Sequence, residues 1–169
     1  MTYRIRKSIE FAMAHRLQYH DGLCRNVHGH TYKVEVELAV HRVRNDGMLI
    51  DFKDIKDALN LHVKNVCDHA MCFSFRDSLM ADMFFQNADQ EEFACNYVLN
   101  EGGGMYAGKG RNELKIYVIE DCPTAEQLAR LWYKQLVPDT RMTQLIQVIV
   151  HESPTSQASY SPFKLGLPV

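Results

Sequence analysis

The sequence lacks the features of a membrane-spanning, secreted or nucleic-acid-binding protein. None of its apolar runs approaches the roughly 20 residues that a helix needs to cross a bilayer. Its 19 basic and 21 acidic residues nearly cancel and form no basic stripe, so neither nucleic acid nor an anionic membrane is expected as a partner. No signal peptide opens the chain, and its five cysteines are odd in number and irregularly spaced. We therefore expect a cytoplasmic protein with reduced thiols.

Alternating apolar and polar residues indicate an α+β fold with an antiparallel sheet. They predict four strands: 3–11, 31–41, Met48–Phe52 and 145–152. The third strand is expected to return from a turn at Asn45-Asp46-Gly47. In the last strand, Ile146, Val148 and Val150 are expected to share the buried face.

Two helices are predicted from an N-cap residue followed by apolar residues at helical spacing. Asp51 caps a helix over about 52–66, and Thr124 begins a second helix as the first residue of a capping box with Gln127. The helices are expected to cover one face of the sheet. With 169 residues, 46% of them apolar, the chain is expected to form one domain, 1–169, with an insert at about 76–122. Within the insert we expect three features: a helix near 78–99, a loop at Gly102-Gly103-Gly104 and a strand over 114–119.

Three histidines share the parity of the buried side of the first two strands. His28 and His30 match Tyr32, and His15 matches Phe11. Because alternate residues of a strand project from one face, the three imidazoles are expected to meet. Three nitrogen ligands with one open position are typical of catalytic zinc. The alternative is that they are hydrogen-bonded core or turn residues.

Four further residues are candidates for chemistry. Cys24, four residues before His28, is either a metal ligand or a reactive thiolate, and three histidines already complete a zinc site, which favours the reactive role. Asp68 and His69 suit a proton relay with a thiol, although alone they are more typical of a solvated helix end. Glu152 ends the apolar face of the last strand, where it either reaches solvent or binds a guanidine-like N–H pair.

One further motif is similar to a phosphate-binding loop. In Gly103-x4-Gly108-Lys109, however, Gly110 stands where Ser or Thr would hold magnesium, and no buried strand precedes the motif. We interpret this stretch as a flexible glycine loop.

Several short blocks resemble the 6-pyruvoyltetrahydropterin and 6-carboxytetrahydropterin synthase family. They follow the family's order and span residues 11–160. The blocks are Phe11–Leu17 (FAMAHRL), Cys24-x3-His28-Gly29-His30, Leu49–Phe52 (LIDF), Asp68-His69, Pro123–Glu126 (PTAE) and His151–Ser153 (HES) with a tyrosine soon after.

The resemblance implies a tunnelling fold: a four-stranded antiparallel sheet with two helices on one face, joined to other copies as an oligomeric barrel. Such subunits assemble as trimers or hexamers, with active sites between them. It also implies that Zn2+ is bound by His15, His28 and His30.

The remaining site residues are assigned by the same resemblance. Cys24 would be the base that abstracts a proton, supported by Asp68 and His69. Glu152 would anchor the pterin ring of the substrate, with Thr124 near that pocket.

The spacing around Cys24 resembles one branch of the family. Three residues separate it from His28, as is common in the 6-carboxy enzymes of queuosine biosynthesis, whereas animal 6-pyruvoyl enzymes typically have five and a folate-linked branch has glutamate instead. The expected reaction converts 7,8-dihydroneopterin triphosphate to 6-carboxy-5,6,7,8-tetrahydropterin, acetaldehyde and triphosphate. The alternatives are a 6-pyruvoyl enzyme and a non-catalytic, zinc-containing module that binds pterins. The stretch from Asp68-His69 to Pro123-Thr124 is about twice as long as in compact family members, so residues 76–122 are partly extra. We expect them to be a peripheral excursion, and the alternative is that they reshape substrate choice.

Overall fold

The computed structural model describes residues 2–101 and 104–162. Seven strands form one mixed sheet: β1 (Tyr3–His15), β2 (His28–Val40), β3 (Met71–Ser74), β4 (Met105–Lys109), β5 (Lys115–Ile119), β6 (Leu145–Ser153) and β7 (Ser156–Tyr160). Their spatial order is β4-β5-β3-β1-β2-β6-β7. β3 runs parallel to both of its neighbours, and every other pair is antiparallel.

Most of the helices begin at a residue whose side chain caps the first turn. Asp51 accepts a hydrogen bond from the backbone N–H of Lys53 and begins α1 (Phe52–Leu59), which continues through a π-helical turn (Asn60–Lys64) into α2 (Asn65–Cys67). The other helices are α3 (Ser78–Phe84), α4 (Ala88–Asn96) with a π-helical turn after it (Tyr97–Glu101), and α5 (Ala125–Leu136). Short 3-10 turns cover Leu23–Arg25, Arg111–Glu113 and Thr140–Met142. No helix within the described ranges is long and apolar enough to span a membrane.

The core lies on both faces of the sheet. The larger cluster lies between the sheet and the helices α1 and α5, and includes Phe11 and Val34 from the strands with Leu59 and Trp132 from the helices. Because side chains alternate, β3 and β5 send every second residue to the opposite face. There α3 and α4 cover a second cluster: Met71, Phe73, Met80, Ala81, Phe85, Ala94, Val98, Ile116 and Val118. The helices α3 and α4, which lie in the expected insert 76–122, therefore form a third layer over one end of the sheet.

The expected four-stranded antiparallel sheet is wrong. β1, β2, β6 and β7 form an antiparallel part of that size, and β3, β5 and β4 extend it through parallel pairing. Parallel neighbours are joined by long connections rather than by tight turns, so no local turn motif predicts their pairing. α3 and α4 also add to the two helices that were expected on one face.

Several local predictions also differ from the structure. The predicted strand Met48–Phe52 is absent: Gly47 forms the expected turn with φ +82°, but Leu49 and Ile50 pack against the core instead of pairing. The predicted helix 78–99 is interrupted, because Asn87 is extended and caps α4.

Two further predictions are corrected in β4 and β6. Gly108 and Lys109 belong to β4 rather than to a glycine loop, and Gly103 lies outside the described residues. A bulge in β6 opposite Glu37 and Leu38 shifts the side-chain alternation there, so that Leu145 is buried in place of Ile146.

Candidate active site

The three candidate histidines meet at the open end of the β1–β2 pair. His15 is the last residue of β1 and lies directly opposite His28, the first residue of β2. His30 follows two positions later, so its side chain projects from the same face as that of His28. One ligand atom from each of the three imidazoles lies within 4.8 Å of the others. The predicted cluster is therefore present, built from two adjacent strand ends.

The spacing of the ring nitrogens fits a metal ion. The Nε2 atoms of His15 and His28 are 3.1 Å apart. Two nitrogens bound to one tetrahedral zinc at ~2.0–2.1 Å would lie ~3.4 Å apart, which is close to this distance. His15 is fully buried, whereas His28 and His30 are half-buried. A bound ion would therefore be anchored on its inner side and open on its outer side, as a catalytic site requires.

Backbone carbonyls fix the tautomer of two of the imidazoles. The Nδ1 atom of His15 lies 2.8 Å from the carbonyl oxygen of Pro123, and that of His28 lies 2.8 Å from the carbonyl oxygen of Asn26. Because a carbonyl can only accept, each Nδ1 must donate its hydrogen, which leaves each Nε2 with a free lone pair. Such outer contacts are typical of histidines that bind metals.

Burial keeps His15 in the neutral form that a metal needs. The pKa of His15 is lowered to about 4, mainly because burial disfavours the imidazolium. The Pro123 carbonyl opposes this effect, and the neighbouring His28 and His30 lower the pKa further. The imidazole of His15 therefore remains unprotonated at neutral pH, which is the form in which histidine can bind a metal.

Tyr32 is a residue of the site that the sequence patterns did not single out. Its hydroxyl lies 3.1 Å from Nδ1 of His15 and donates to Oε1 of Glu152 at 3.5 Å. Burial, together with the Glu152 carboxylate, raises the pKa of Tyr32 far above its usual value, so it stays a donor. Tyr32 follows His30 by two positions on the same face. In the sequence pattern it counts as an apolar residue because of its ring, so its hydroxyl was not recognised as part of the site.

Glu152 and Thr124 lie beside the histidine cluster. Glu152 is half-buried near the end of β6 and reaches the cluster through Tyr32. Thr124 caps α5, its Oγ1 accepting from the N–H of Gln127 at 3.4 Å, and it follows directly after Pro123, which holds His15. Glu152 is thus linked to the histidine cluster through Tyr32, and Thr124 is next to the residue whose carbonyl holds His15.

Cys24 lies in the connection between His15 and His28. It occupies the 3-10 turn Leu23–Arg25, is half-buried, and its carbonyl accepts from the N–H of Leu17 at 3.0 Å. Cys67 and Cys72, by contrast, are fully buried, and burial raises the pKa of each thiol. Partial exposure distinguishes Cys24 from these two inert thiols, although Cys95 and Cys122 are also half-buried.

Asp68 and His69 form a pair at the edge of β1. Oδ1 of Asp68 lies 2.9 Å from Nδ1 of His69 and accepts from the N–H of Ala12 at 3.1 Å, while the N–H of His69 donates to the carbonyl of Ala12 at 2.7 Å. Nζ of Lys115, which the sequence patterns also did not single out, donates to the carbonyls of Asp68 and Asn65 at 2.8 and 2.9 Å. The loop is thus fastened on two sides. The side chain of His69 is 80% exposed, and the backbone of this residue has a φ of +61°.

The Asp68–His69 pair does not join the metal cluster within one chain. Among the described residues, neither makes a hydrogen bond or ion pair with Cys24 or the three histidines. His69 opens onto a cleft of about 650 Å3 that His30 also reaches. The floor of that cleft includes residues of the opposite parity to the histidines: Ala12, Ala14, Gly29 and Thr31. The sequence-predicted residues are therefore divided into a metal group and a separate Asp–His group.

Comparison with known proteins identifies the class. The family model described as 6-pyruvoyl tetrahydropterin synthase matches residues 4–162. The chain therefore belongs to the 6-pyruvoyl tetrahydropterin synthase family. It is similar to 6-carboxy-5,6,7,8-tetrahydropterin synthases of Haemophilus influenzae (28% identical, covering 94% of this chain and 98% of the relative) and Aquifex aeolicus (26%, covering 95% and 98%).

Solved structures share the fold. An uncharacterized protein from Wolinella succinogenes superimposes with a TM-score of 0.74 at 19% identity, covering 96% of this chain and 99% of that one. A 6-pyruvoyl tetrahydropterin synthase from Caenorhabditis elegans superimposes with a TM-score of 0.62 at 18% identity, covering 96% and 97%. The family expected from the sequence blocks and its lyase class are confirmed.

Proposed function

We propose that the chain is a zinc-dependent lyase that converts 7,8-dihydroneopterin triphosphate and water to 6-carboxy-5,6,7,8-tetrahydropterin, acetaldehyde and triphosphate. The observation that carries the proposal is the cluster of His15, His28 and His30, in which two Nε2 atoms lie 3.1 Å apart with both tautomers fixed for metal binding. Membership of the family supports the elimination of triphosphate. We propose a cytoplasmic location and a place in the supply of queuosine precursors.

The histidine cluster would hold Zn2+ with one side open to the substrate. When bound, zinc would lower the pKa of a coordinated side-chain hydroxyl, as it does for bound water. The half-buried side chain of Cys24, as its thiolate, would take the proton from the neighbouring carbon of the substrate and become the thiol. Glu152 would accept hydrogen bonds from the N–H edge of the pterin ring, and Tyr32 would hold that carboxylate in place. Thr124 would line the same pocket.

Asp68 and His69 are proposed to support Cys24 of a neighbouring copy. Within the described chain the pair makes no hydrogen bond or ion pair with the three histidines, and the imidazole of His69 is 80% exposed on a cleft that His30 also lines. An exposed pair with a fixed geometry can serve a site across an interface. We therefore propose a homo-oligomer, a trimer or hexamer, with each active site shared between copies.

The carboxy product is preferred to the pyruvoyl product for two reasons. Three residues separate Cys24 from His28, as is common in the carboxy branch. The similar proteins from Haemophilus influenzae and Aquifex aeolicus are also named as 6-carboxy enzymes. The 6-pyruvoyl enzyme remains the second candidate, since it would use the same cluster and the same base.

Product analysis would decide between these functions. The purified zinc-loaded protein is incubated with 7,8-dihydroneopterin triphosphate, and acetaldehyde, triphosphate and the pterin product are measured. Acetaldehyde and triphosphate in equal amounts are expected. Triphosphate without acetaldehyde would indicate the pyruvoyl enzyme, and binding of the substrate without any product would indicate a pterin-binding module.

Mixing two inactive variants would test whether the active site is shared. Cys24→Ala and His69→Ala each remove one half of the proposed machinery. If the halves come from different copies, subunits exchanged between the two variants should recover part of the activity. No recovery in verified hybrid oligomers would place both halves in one chain. Two Cys24→Ala preparations mixed in the same way are the control.

A further inference from the structure

The segment that follows β3 places a buried acid next to the loop that carries Cys24. Asp77 is only 4% exposed. It is one of four buried polar or charged side chains in the described part of the chain, with His15, Glu37 and Ser74. A buried carboxylate requires partners, so the groups that Asp77 contacts indicate why it is there.

Asp77 binds a guanidinium that reaches the cysteine loop. Its Oδ2 forms a close ion pair with Nη1 of Arg16, whose side chain is 12% exposed. Nε of the same guanidinium donates to the carbonyl of Arg25 at 2.7 Å. The preceding carbonyl of the turn, that of Cys24, accepts from the N–H of Leu17 at 3.0 Å. Two successive carbonyls of the turn are therefore held by the two residues that follow His15.

Each oxygen of Asp77 has its own partner. Oδ1 accepts from the N–H of Met80 at 3.4 Å and caps α3, while Oδ2 faces Arg16. The N–H of Asp77 donates to the carbonyl of Ser74 at the end of β3. The acid is thus rigidly attached to the sheet and the insert, and it directs the guanidinium of Arg16 toward the carbonyl of Arg25.

We propose that Asp77 is a positioning residue, which holds the turn bearing Cys24 in place through Arg16. The inference rests on the proposed function, in which Cys24 is the base. A thiolate that takes a proton from carbon must be held close to its productive position, and the turn itself has only three residues. The insert then contributes to the support of the active site.

Asp77→Asn tests the link with little change of shape. Asparagine keeps the oxygen that caps α3 but removes the charge that orients Arg16. We expect kcat to fall about 10-fold with KM within about 2-fold, because the base is misplaced while the substrate contacts remain. Zinc content should not change. Iodoacetamide should alkylate Cys24 about 5-fold faster than in the wild type, because the turn opens more often. The rate is followed by mass spectrometry of the peptide that contains Cys24.

Asn87→Ala is the matched control. Asn87 caps α4 in the same segment, its Oδ1 accepting from the N–H of Gln90 at 2.9 Å, and it makes no hydrogen bond or ion pair with Arg16 within the described ranges. This variant should lose a helix cap but keep the wild-type kcat and alkylation rate. If it matched Asp77→Asn in both measurements, the effect would be general loosening of the insert, and the proposal would be overturned.

A second variant covers the case in which Asp77→Asn does not fold. Arg16→Met combined with Asp77→Asn removes both charges and leaves no unpaired ion in the interior. Cys24 of this double variant should be alkylated at least as fast as Cys24 of Asp77→Asn. If the folded variants were alkylated at the wild-type rate or more slowly, the proposal would be overturned. Alkylation needs no substrate, so it tests the role of Asp77 separately from the proposed function. If the wild type formed no product but Cys24 of the variants was still alkylated faster, the role of Asp77 would be supported and only the proposed function would be overturned.

Discussion

The metal-free protein should become less stable to unfolding at acidic pH because of the buried His15. Burial lowers its pKa to about 4, and on unfolding it regains an ordinary value near 6.5. Between these pH values the unfolded chain binds a proton that the folded chain does not, so the free energy of unfolding falls as pH falls. The loss begins near pH 6.5 and is complete near pH 4. A pKa difference of about 2.5 corresponds to about 3 kcal/mol at full extent.

Urea unfolding with a chelator present would measure this loss at steps between about pH 7 and pH 4. His15→Gln removes the titrating group from the same buried position. The variant should start less stable than the wild type, but its free energy of unfolding should fall by about 3 kcal/mol less across the range.

The matched control is His41→Gln, since His41 is an exposed histidine just beyond β2. This variant should follow the wild-type pH dependence. If His15→Gln lost as much stability on acidification as the wild type, His15 would be ionising inside the folded protein, and the argument from its burial would be refuted.

Three further predictions concern the site. His28→Ala should lose most of about one zinc per chain, measured by metal analysis, because His28 supplies one of three ligand nitrogens; full occupancy would remove it from the ligand set. Cys24→Ala should keep its zinc and fold but lose at least ~100-fold in turnover. Loss of zinc in that variant would make the cysteine a ligand instead. Glu152→Gln should weaken binding of a pterin analogue by at least ~10-fold in a titration, with zinc content unchanged, because it presents a donor to the donors of the ring. Equal affinity would mean that the carboxylate is merely solvated.

The histidine cluster could be predicted because the side-chain parity that groups its members can be read within each strand. His28 and His30 continue the alternation of β2, and His15 continues that of β1, so parity alone placed the three imidazoles on one face. The pairing of the two strands ends with His15 opposite His28, which then brings them together. The helix starts at Asp51 and Thr124 were predictable for the same reason, since a cap depends on neighbouring residues only.

The parts that escaped prediction depend on distant partners. β3 has four residues, all buried, and pairs with β1 and β5 in parallel, so nothing in its own sequence fixes its neighbours. The run Met48–Phe52 is rich in apolar residues as a strand would be, but only Leu49 and Ile50 pack against the core, and the segment pairs with no strand of the described chain. The ion pair of Arg16 and Asp77 joins residues 61 positions apart, and each alone is an ordinary surface residue type.

The edges of the sheet support the proposed sharing of the active site. On the side of β1 away from β2, β3 pairs only with Ala14 and His15, so no strand of the described chain covers β1 from Tyr3 to Phe11 on that side. β7 is the opposite edge. A long strand edge without a partner can form hydrogen bonds with a strand of another chain. Because both edges are antiparallel strands, successive copies can pair edge to edge and close into a ring. Asp68 and His69 contact β1 at Ala12, where the uncovered stretch ends. A copy that paired along this edge would therefore bring its own residues up to the Asp–His pair, as an active site shared between copies requires.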